Sequence, residues 1–416
     1  MPTDALKQSM SYLVHQNKML TGLSVAYGTA DEHQSLTVGN AQEVLLNESG
    51  VFVPCVRPLT ERTLYDLASL TKLFTCLCVL RLCEDGRLSL GEAVGEVDPR
   101  FVHLRGVSVG DVLSFCAHLQ SSERIDAQQT QSEALSLVLN IAPASPPPVK
   151  LYSDMNALVL GYVVEARAGM SLYEYIQKTI LRPAGMRETF CSVPQERLDD
   201  CANYNYEHRL LGMRALVRTD APPGTPHDPK ARLLGRAGRA LTGHAGLFST
   251  LGDMVRFAQA LLRGDILPLV RVREIGLNRT GRPNGDGTFV QYLGYLCFTK
   301  HPVQRLSEVP VYMGKGAFGL SGFTGNHLAV DPRRGIFTLF LGNRCHNRIT
   351  TLVPPPGKSE GDYGLDPDFA GAFPWPEGSR TRAVYSSIHY VYQKDKRLHA
   401  PVAAHMKALG WLPQSL

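Results

Sequence analysis

The sequence of 416 residues predicts an α+β fold in which an antiparallel sheet flanked by helices carries an inserted all-helical domain. Strand-like segments lie near both ends of the chain, whereas the middle consists mainly of segments with helical apolar spacing. The composition, 44% hydrophobic and 19% charged, is that of an ordinary globular protein. A chain of this length can bury one large core or two smaller ones.

The N-terminal elements follow from their apolar patterns. Residues 4–20 have the spacing of an amphipathic helix, and residues 22–28 and 35–41 indicate the two strands of a hairpin. Residues 71–82 are almost entirely apolar, so we expect a buried helix there. Gly86 is a natural residue to end that helix.

The middle of the chain is predicted to be mainly helical. Helical spacing is found over residues 107–120, 128–140, 156–169 and 171–185, and the last of these begins with the pattern of a capping box. Residues 190–240 are rich in Pro, Gly and Arg and are predicted to be irregular.

The C-terminal part is predicted to return to strands and to end in a helix. The elements expected there are a helix over 251–264, strands over 291–299, 326–332 and 335–344, a loop insertion over 352–378 and a closing helix over 380–397. This order predicts a discontinuous sheet domain, residues 1–68 and 245–416, and a mainly helical domain, residues 69–244.

Charge and cysteine usage argue against several classes of protein. The net charge of +5 is spread along the chain, so a clustered basic face for nucleic acid is not expected. Residues 1–20 lack the apolar core of a secretory signal, and no run of about 20 apolar residues predicts a membrane span. The nine cysteines show no paired CxxC spacing, which favours reduced thiols in a cytoplasmic protein over a zinc site. A phosphate loop and a dinucleotide fingerprint are both missing, so no cofactor is predicted.

The segment DLASLTKLF, residues 66–74, contains the first candidate catalytic residues. Ser69 and Lys72 are three residues apart, so a helix places both on one face. Ser69 could simply cap that helix, with Lys72 in solvent. However, Lys72 begins an otherwise apolar helix, where a charge needs a partner or a purpose. A desolvated lysine with a lowered pKa could take the proton of Ser69.

Tyr152 is the second candidate, because it follows a proline-rich loop and directly precedes a predicted helix. An isolated tyrosine more often packs its ring and bonds its hydroxyl to nearby backbone. A phenol with an ordinary pKa near 10 acts as a base only when a cation lowers that pKa, and Lys72 could be that cation.

The third candidate segment is GAFGLSGFTGNHLAVDP, residues 316–332. Its glycines allow a ligand or another backbone to approach the edge of a strand closely, although a glycine-rich hairpin or bulge has the same pattern. Ser321 is not predicted to be a nucleophile, because Phe323 occupies the last position of a G-x-S-x-G motif.

Together these segments resemble the penicillin-binding proteins and the class C β-lactamase-like serine hydrolases, including the family VIII esterase-like enzymes. The resemblance runs roughly over residues 20–350 and the closing helix. It includes the blocks LYDLASLTKLFTCLCVLRLCEDGRLSLGEAV and YSDMNALVLGYVVEARAGMSLYEYIQKTILRPAGMRET. It implies a β-lactamase/transpeptidase-like fold with the active site at the junction of the two predicted domains, and no cofactor.

The resemblance also implies a role for each motif. Ser69 corresponds to the acylated nucleophile, while Lys72 and Tyr152 share general-base and general-acid duties. The backbone N–H groups of Ser69 and Phe323 form the oxyanion hole. The residues expected at the substrate are Asp154, Asn156, Leu320, Ser321 and Gly322.

Two positions depart from the family pattern. Asp154 stands where a Tyr-x-Asn motif often has its asparagine, and an acid beside the site is expected to disfavour anionic substrates. Leu320 stands where the third motif usually begins with lysine or histidine, so the cation that would meet a substrate carboxylate is missing. This disfavours penicillins and D-Ala-D-Ala substrates and fits the esterase and acyltransferase branches better.

The leading hypothesis is a serine hydrolase or acyltransferase that acts on a small-molecule or peptide-like ester or amide through an acyl-Ser69 intermediate. One alternative is a D,D-carboxypeptidase or β-lactamase, and another is a non-catalytic binding protein on the same scaffold, suggested by Leu320. His227 and His244 are interpreted as structural residues of a loop and a tight turn. Neither has a metal-ligand spacing, so no metal site is predicted.

Overall fold

The computed structural model describes residues 2–212, 214–235, 241–359, 362, 372–373 and 384–414, with strands towards both ends and most helices between them. The strands are β1 (Gly22–Thr29), β2 (His33–Leu46), β3 (Phe52–Pro58), β4 (Tyr65–Asp66), β5 (Leu119–Gln120), β6 (Ala142–Pro143), β7 (Thr189–Phe190), β8 (Glu207–Leu211), β9 (Arg214–Arg218), β10 (Phe248–Ser249), β11 (Phe298–Thr299), β12 (Phe318–Ser321), β13 (His327–Asp331), β14 (Ile336–Gly342), β15 (Arg348–Val353), β16 (Ala372–Phe373) and β17 (Val384–Ser386). The α-helices are α1 (Pro2–Ser11), α2 (Thr71–Glu84), α3 (Val94–Val97), α4 (Val109–Leu113), α5 (Gln131–Leu139), α6 (Asp154–Ala168), α7 (Leu172–Ile176), α8 (Arg182–Ala184), α9 (Pro229–Leu234), α10 (Leu251–Arg263), α11 (Leu269–Ile275), α12 (Tyr390–Lys394) and α13 (Ala400–Ala408).

Seven strands form one antiparallel sheet in the order β11-β12-β13-β14-β1-β2-β3. β1 pairs with both β14 and β2, so the N-terminal hairpin joins strands from the last third of the chain. The predicted hairpin and the predicted α+β class are therefore confirmed. The division of the chain into residues 1–68 with 245–416 and residues 69–244 stays a prediction.

Apolar cores lie on both faces of this sheet, because successive residues of a strand point to opposite sides. Val25 belongs to a core that α1 and α13 cover, with Met10 and Met406 among its members. Ala26 belongs to a larger core that also includes α2, α6 and α10. In this second core Phe74 of α2 stacks on Phe257 of α10, with ring centroids 4.4 Å apart.

Helices α2 and α6 carry two of the candidate motifs, and both have the predicted character. α2 is buried along nearly its whole length, as its continuous apolar sequence indicates. The Ser153 hydroxyl caps α6 by accepting from the Met155 N–H, and Gly169 ends the helix in a left-handed conformation. The cap places Tyr152 just before the helix and Asp154 in its first turn.

Two predicted elements are largely wrong because the backbone turns where the apolar pattern continues. Residues 107–120 are helical only in α4, and Phe115 and His118 have positive φ angles that a helix cannot contain. Residues 291–299 form a strand only in β11, because Leu296 has a φ of 50°.

The prediction that residues 190–240 are irregular is wrong as well. They contain β8 and β9, which pair antiparallel, and α9. β8 also pairs with β15 in a parallel arrangement, within a sheet ordered β16-β17-β15-β8-β9. This pairing joins segments more than 130 residues apart, and local composition carries no signal for such a contact.

The last predicted elements differ from the structure at their ends. The closing helix was expected over 380–397, of which residues 380–383 lie outside the described residues. Val384–Ser386 is a strand, and the helical segment runs from Tyr390 to Ala408 with a π-helical turn inside it. β15 extends into the predicted loop 352–378, of which residues 360–361, 363–371 and 374–378 lie outside the described residues.

All nine cysteine thiols are free, and five of them are buried. Buried thiols of this kind pack as small apolar side chains. In the part of the chain that the structure describes, no helix has the length and apolar character needed to cross a membrane.

Candidate active site

Ser69 lies in a 3-10 turn, residues 68–70, directly before α2. Its side chain is half-buried, and it does not cap the helix. Ala68 has a φ of 47°, which is strained for a residue with a side chain. The Asp66 carboxylate supports this turn by accepting from the Ala68 N–H at 2.9 Å. Ser69 is thus presented on a tight, strained turn rather than in a regular helix.

Lys72 is completely buried and makes three polar contacts. Its Nζ donates to Ser69 Oγ at 2.8 Å and to the His244 carbonyl at 3.2 Å, and it lies 2.8 Å from Asp154 Oδ1. Asp154 is therefore the ionic partner that Lys72 needs at the start of this apolar helix.

These contacts decide whether the Lys72 amine and the Tyr152 hydroxyl are protonated. Burial would lower the pKa of Lys72, but the neighbouring Asp154 carboxylate outweighs burial and raises the pKa above its ordinary value. Burial likewise raises the pKa of Tyr152, and the Lys72 ammonium offsets this only in part. The expectation of a lysine with a lowered pKa is wrong, since in this arrangement Lys72 is an ammonium and Tyr152 a neutral phenol.

Asp154 belongs to a chain of alternating charges. Lys230 Nζ lies 3.0 Å from Asp154 Oδ2 and 3.2 Å from Asp228 Oδ2, and His244 Nε2 lies 2.9 Å from Asp228 Oδ1. Burial would raise the pKa of Asp154, but Lys72 and Lys230 lower it far below its ordinary value. The carboxylate beside the nucleophile is thus balanced by two cations, and it opposes an anionic substrate less than the sequence indicated.

Three of these side chains also have the spacing of a metal site. One ligand atom each from Asp154, Asp228 and His244 lies within 4.8 Å of the others. The Lys230 ammonium contacts both carboxylates, so the chain supplies its own cation at this place. The prediction of no metal stays a prediction.

Tyr152 is held by its ring and its backbone, and its hydroxyl is buried beside Ser69 and Lys72. The ring stacks on Phe298, with centroids 5.0 Å apart, and the Tyr152 N–H donates to Gln291 Oε1 at 3.0 Å. The hydroxyl is buried and has no hydrogen-bond partner among the described residues. Lys72 Nζ lies 5.2 Å from the ring centroid. The interpretation that the hydroxyl is tied to the backbone therefore fails for Tyr152.

Asn156 lies one turn into α6 and is buried. Its amide Nδ2 donates to the Val112 carbonyl at 2.7 Å, and its Oδ1 has no partner among the described residues. Asn156 thus ties α6 to α4 beneath the site, and its predicted contact with substrate stays a prediction.

The end of β12 meets the Ser69 turn through Gly322. A Cβ atom on Gly322 would lie 2.8 Å from the Leu67 carbonyl oxygen and 3.4 Å from Ala68 Cβ, so only glycine allows this approach. The next residue, Phe323, has a backbone N–H that donates no hydrogen bond to any described residue. Leu320, by contrast, is completely buried in the larger core.

Ser321 contacts a cation that the sequence did not point to. Its hydroxyl accepts from Lys394 Nζ of α12 at 2.7 Å and donates to Glu308 Oε2 at 2.7 Å. Lys394 also pairs with Glu308 at 2.5 Å, and His327 Nδ1 lies 3.0 Å from the hydroxyl. A lysine thus reaches the third motif from the end of the chain, although a carboxylate neutralises it. Only the long-range packing of α12 brings it there, and no local pattern signals that.

His227 is more than a loop residue. It is buried, its Nε2 lies 2.9 Å from Glu207 Oε2, and its ring stacks on Phe323 with centroids 5.5 Å apart. Burial opposes a charge on His227, but Cys345 and Glu207 outweigh burial and raise its pKa to about 10. The backbone N–H of His227 donates to Asp66 Oδ2 at 2.6 Å, which connects this residue to the Ser69 turn.

The chain can be assigned to a family on its sequence as well as on this geometry. Residues 36–350 match the sequence profile of the family described as Beta-lactamase, which is well over half of the chain. The chain belongs to the beta-lactamase family. The family resemblance drawn from the motifs is therefore confirmed.

Curated relatives of this beta-lactamase-family protein are similar over most of its length. It is 26% identical over 316 residues to a putative D-alanyl-D-alanine carboxypeptidase from Salmonella typhi, covering 70% of this chain and 71% of the relative. It is 27% identical, with the same coverage, to the putative D-alanyl-D-alanine carboxypeptidase from Salmonella schwarzengrund.

Solved structures of similar fold cover even more of the chain. Simvastatin synthase from Aspergillus terreus superposes with a TM-score of 0.66 and 15% identity, covering 98% of both chains. A hydrolase with promiscuous acyltransferase activity gives a TM-score of 0.62 and 18% identity over 82% of this chain and 93% of its own. A class C beta-lactamase gives a TM-score of 0.60 and 18% identity, covering 82% of this chain and 92% of its own. These likenesses confirm the β-lactamase/transpeptidase-like fold of this beta-lactamase-family protein.

Proposed function

We propose that this protein is a serine hydrolase or acyltransferase that acts on a small-molecule or peptide-like ester or amide through an acyl-Ser69 intermediate. The observation that carries the proposal is the 2.8 Å hydrogen bond between Lys72 Nζ and Ser69 Oγ on a strained turn of a beta-lactamase-family chain. A serine hydroxyl needs such a neighbour to lose its proton when it attacks a carbonyl.

In the proposed reaction Ser69 Oγ forms a bond to the carbonyl carbon. Its proton passes to Lys72, once that amine is free, either directly or through the Tyr152 hydroxyl, which accepts it while giving its own proton to Lys72. The same pair returns a proton to the leaving alcohol or amine. The Tyr152 hydroxyl is suited to this relay because it is buried and has no other partner among the described residues. Water, an alcohol or an amine then takes the acyl group from Ser69.

The proposed oxyanion hole consists of the backbone N–H groups of Ser69 and Phe323. Its support is the close approach of Gly322 to the Leu67–Ala68 backbone and the Phe323 N–H, which is without an acceptor in the described part of the chain. One such donor typically lowers the barrier by about 2.7–4 kcal/mol.

Ester hydrolysis or acyl transfer is favoured over D,D-peptidase chemistry by the third motif. Leu320 is buried, and the nearby Lys394 is paired with Glu308, so neither offers a free charge to a substrate carboxylate. The similarity in fold to simvastatin synthase and to a hydrolase with acyltransferase activity agrees with this preference. A cytoplasmic location is also proposed, supported by the nine free cysteines.

The names of the curated relatives favour a second candidate, a D-alanyl-D-alanine carboxypeptidase or a β-lactamase. Release of D-alanine from a D-Ala-D-Ala peptide, rapid nitrocefin turnover or a stable penicillin adduct on Ser69 would favour this candidate. Turnover of neutral esters without any of these reactions would exclude it.

The test of the proposed function compares 4-nitrophenyl ester turnover by the wild type and by Ser69→Ala. We expect the substitution to lower kcat/KM by about 1,000-fold or more, as the loss of a nucleophile does. Ser132→Ala, at an exposed serine in α5, is the matched control and should keep the wild-type rate. Equal rates for Ser69→Ala and the wild type would favour a non-catalytic binding protein instead.

A further inference from the structure

Lys230, the second residue of α9, is a charged side chain of the candidate active site that none of the three motif segments contains. Its side chain is 16% exposed. Its Nζ lies 3.0 Å from Asp154 Oδ2 and 3.2 Å from Asp228 Oδ2. The Lys230 ammonium group is therefore held between two carboxylates in the wall of the site.

Lys230 and Lys72 share the Asp154 carboxylate. Lys72 Nζ lies 2.8 Å from Oδ1 of this group, and Lys230 Nζ takes Oδ2. Two positive charges are thus separated by a single carboxylate. Because Lys72 is completely buried, solvent and salt screen the repulsion between these charges less than they would at the surface. A like charge at such short range disfavours the charged form of its neighbour.

His244 and Asp228 hold the two lysines in place. The His244 carbonyl accepts from Lys72 Nζ, while Nε2 of the His244 ring lies 2.9 Å from Asp228 Oδ1. Asp228 caps α9 by accepting from the Ala231 N–H at 3.0 Å, and its other oxygen contacts Lys230. The relative position of the two ammonium groups is therefore fixed by contacts that run through one histidine.

The charges around the two lysines come from several elements. The titratable and charged groups of the described residues that face them are Tyr152, Asp154, Asp228, His244 and Asp126. Asp126 already pairs with Arg124 at 2.6 Å. The negative charge that balances the two lysines therefore comes from Asp154 and Asp228.

Of the two lysines, Lys72 is expected to lose its proton first. Burial would lower the pKa of Lys230, but Asp228 and Asp154 outweigh burial and raise this pKa above its ordinary value. Lys72 is buried more deeply, and among the described residues it pairs with one carboxylate instead of two. Lys230 therefore stays an ammonium while Lys72 becomes a free amine.

We propose that Lys230 is a positioning residue of the acylation step, which binds the second oxygen of Asp154 and sets a second positive charge beside Lys72, so that Lys72 releases its proton more readily. Lys72 gives this proton to solvent. The free amine then takes the proton of Ser69, directly or through Tyr152, as Oγ bonds to the carbonyl carbon. The inference rests on the proposed function, and it assigns a part in that reaction to a residue outside the three motifs.

Lys230→Met should slow acylation at a fixed pH. Without the second positive charge the Lys72 ammonium is more stable, so the inflection in the acylation rate should move up by about one pH unit. The second-order rate constant with a neutral ester, measured at about pH 8, should then fall by about tenfold. Lys230→Arg keeps the charge and should stay within about threefold of the wild type. Lys7→Met, at an exposed lysine of α1, is the matched control and should keep the wild-type rate.

The pH profile separates a charge effect from damage to the site. In an Asp154→Asn background the inflection is expected at lower pH, where the limiting rate above it can also be measured. There Lys230→Met should move the inflection up by about one pH unit and leave the limiting rate within about threefold. Lys230→Gln, which keeps a hydrogen bond to the carboxylates without the charge, carries the same prediction if the methionine variant does not fold. An inflection that stays in place overturns the proposal, as does an equal loss of rate in Lys230→Met and Lys230→Arg.

A titration of Lys72 itself distinguishes this inference from the proposed function. Ser69→Ala/Asp154→Asn protein is prepared with isotope-labelled lysine, and the side-chain signal of Lys72, identified by its loss in Lys72→Arg, is followed by NMR. We expect the midpoint of this titration to be higher by about one pH unit when Lys230→Gln is added. Acylation of Ser69 together with an unmoved midpoint overturns only the role of Lys230. A moved midpoint without acylation of Ser69 by any ester overturns only the proposed reaction.

Discussion

At the scale of single residues, the protonation of Lys72 decides how Ser69 can be activated. Asp154 holds Lys72 as an ammonium, and an ammonium donates to Ser69 Oγ but cannot accept its proton. The free amine forms only as the pH rises towards the elevated pKa. Acylation that uses Lys72 as the base should therefore accelerate with pH.

Replacing Asp154 by asparagine should move this dependence to lower pH. The substitution removes the carboxylate that raises the Lys72 pKa, while burial, which lowers it, remains. We expect the inflection in the rate of Ser69 acylation to fall by about 1–3 pH units. The measurement is the pH profile of the second-order rate constant with a neutral ester, and Asp286→Asn, in an exposed loop, is the control. An inflection that stays in place or rises would exclude Lys72 as the base.

Residue spacing in the sequence predicted part of this site. The contact between Ser69 and Lys72 follows from their separation of three residues, and the need for a partner follows from the apolar helix around Lys72. Lys394 could not be predicted in this way, because it reaches the third motif from a distant part of the chain.

At the scale of elements, the site depends on how closely β12 approaches the turn that carries Ser69. Asn326 Nδ2 and Thr324 Oγ1 both donate to the Asp66 carbonyl, at 2.7 and 2.9 Å, and so tie the loop after β12 to the residues before Ser69. Gly322 then fits against the Leu67 carbonyl with no room for a side chain. The relative position of two backbone segments is thereby fixed.

Gly322→Ala should disturb this fit and lower activity more than stability. The added Cβ would lie 2.8 Å from the Leu67 carbonyl oxygen, so the strand end must move and take the Phe323 N–H with it. We expect kcat/KM on a neutral ester to fall by about 100- to 1,000-fold, the loss of one oxyanion donor. Gly106→Ala, at a position with open space around its Cβ, should behave as the wild type. A Gly322→Ala rate within about threefold of the wild type would argue against the proposed oxyanion hole.

Elements differ in how well local sequence predicts them. α2 and α6 were predictable because apolar spacing agrees with a terminal glycine in both helices, and with a serine cap in α6. β8 and β9 were not, because their pairing with β15 depends on a contact between distant segments. That missed sheet matters for the site, since Glu207 of β8 holds His227 against Phe323.

At the scale of the whole molecule, the order of strands, helices and strands predicted the architecture. The sheet closes only when the two ends of the chain meet, through β1 and β14, and this brings the third motif beside the first two. The family and the fold follow from the sequence for this reason. The substrate does not follow from the sequence, because selectivity depends on how segments distant in the chain pack around Ser69.

The acyl-Ser69 intermediate is the central claim, and trapping it is the most direct test. The protein is mixed with an excess of a neutral activated ester, quenched in acid within the first turnover and digested for mass spectrometry. The account predicts an acyl group on the peptide that contains Ser69, and its absence from Ser69→Ala protein treated in the same way. Ester turnover with an unmodified Ser69 peptide at every quench time, or an acyl group on another side chain that forms and decays at the turnover rate, would contradict it.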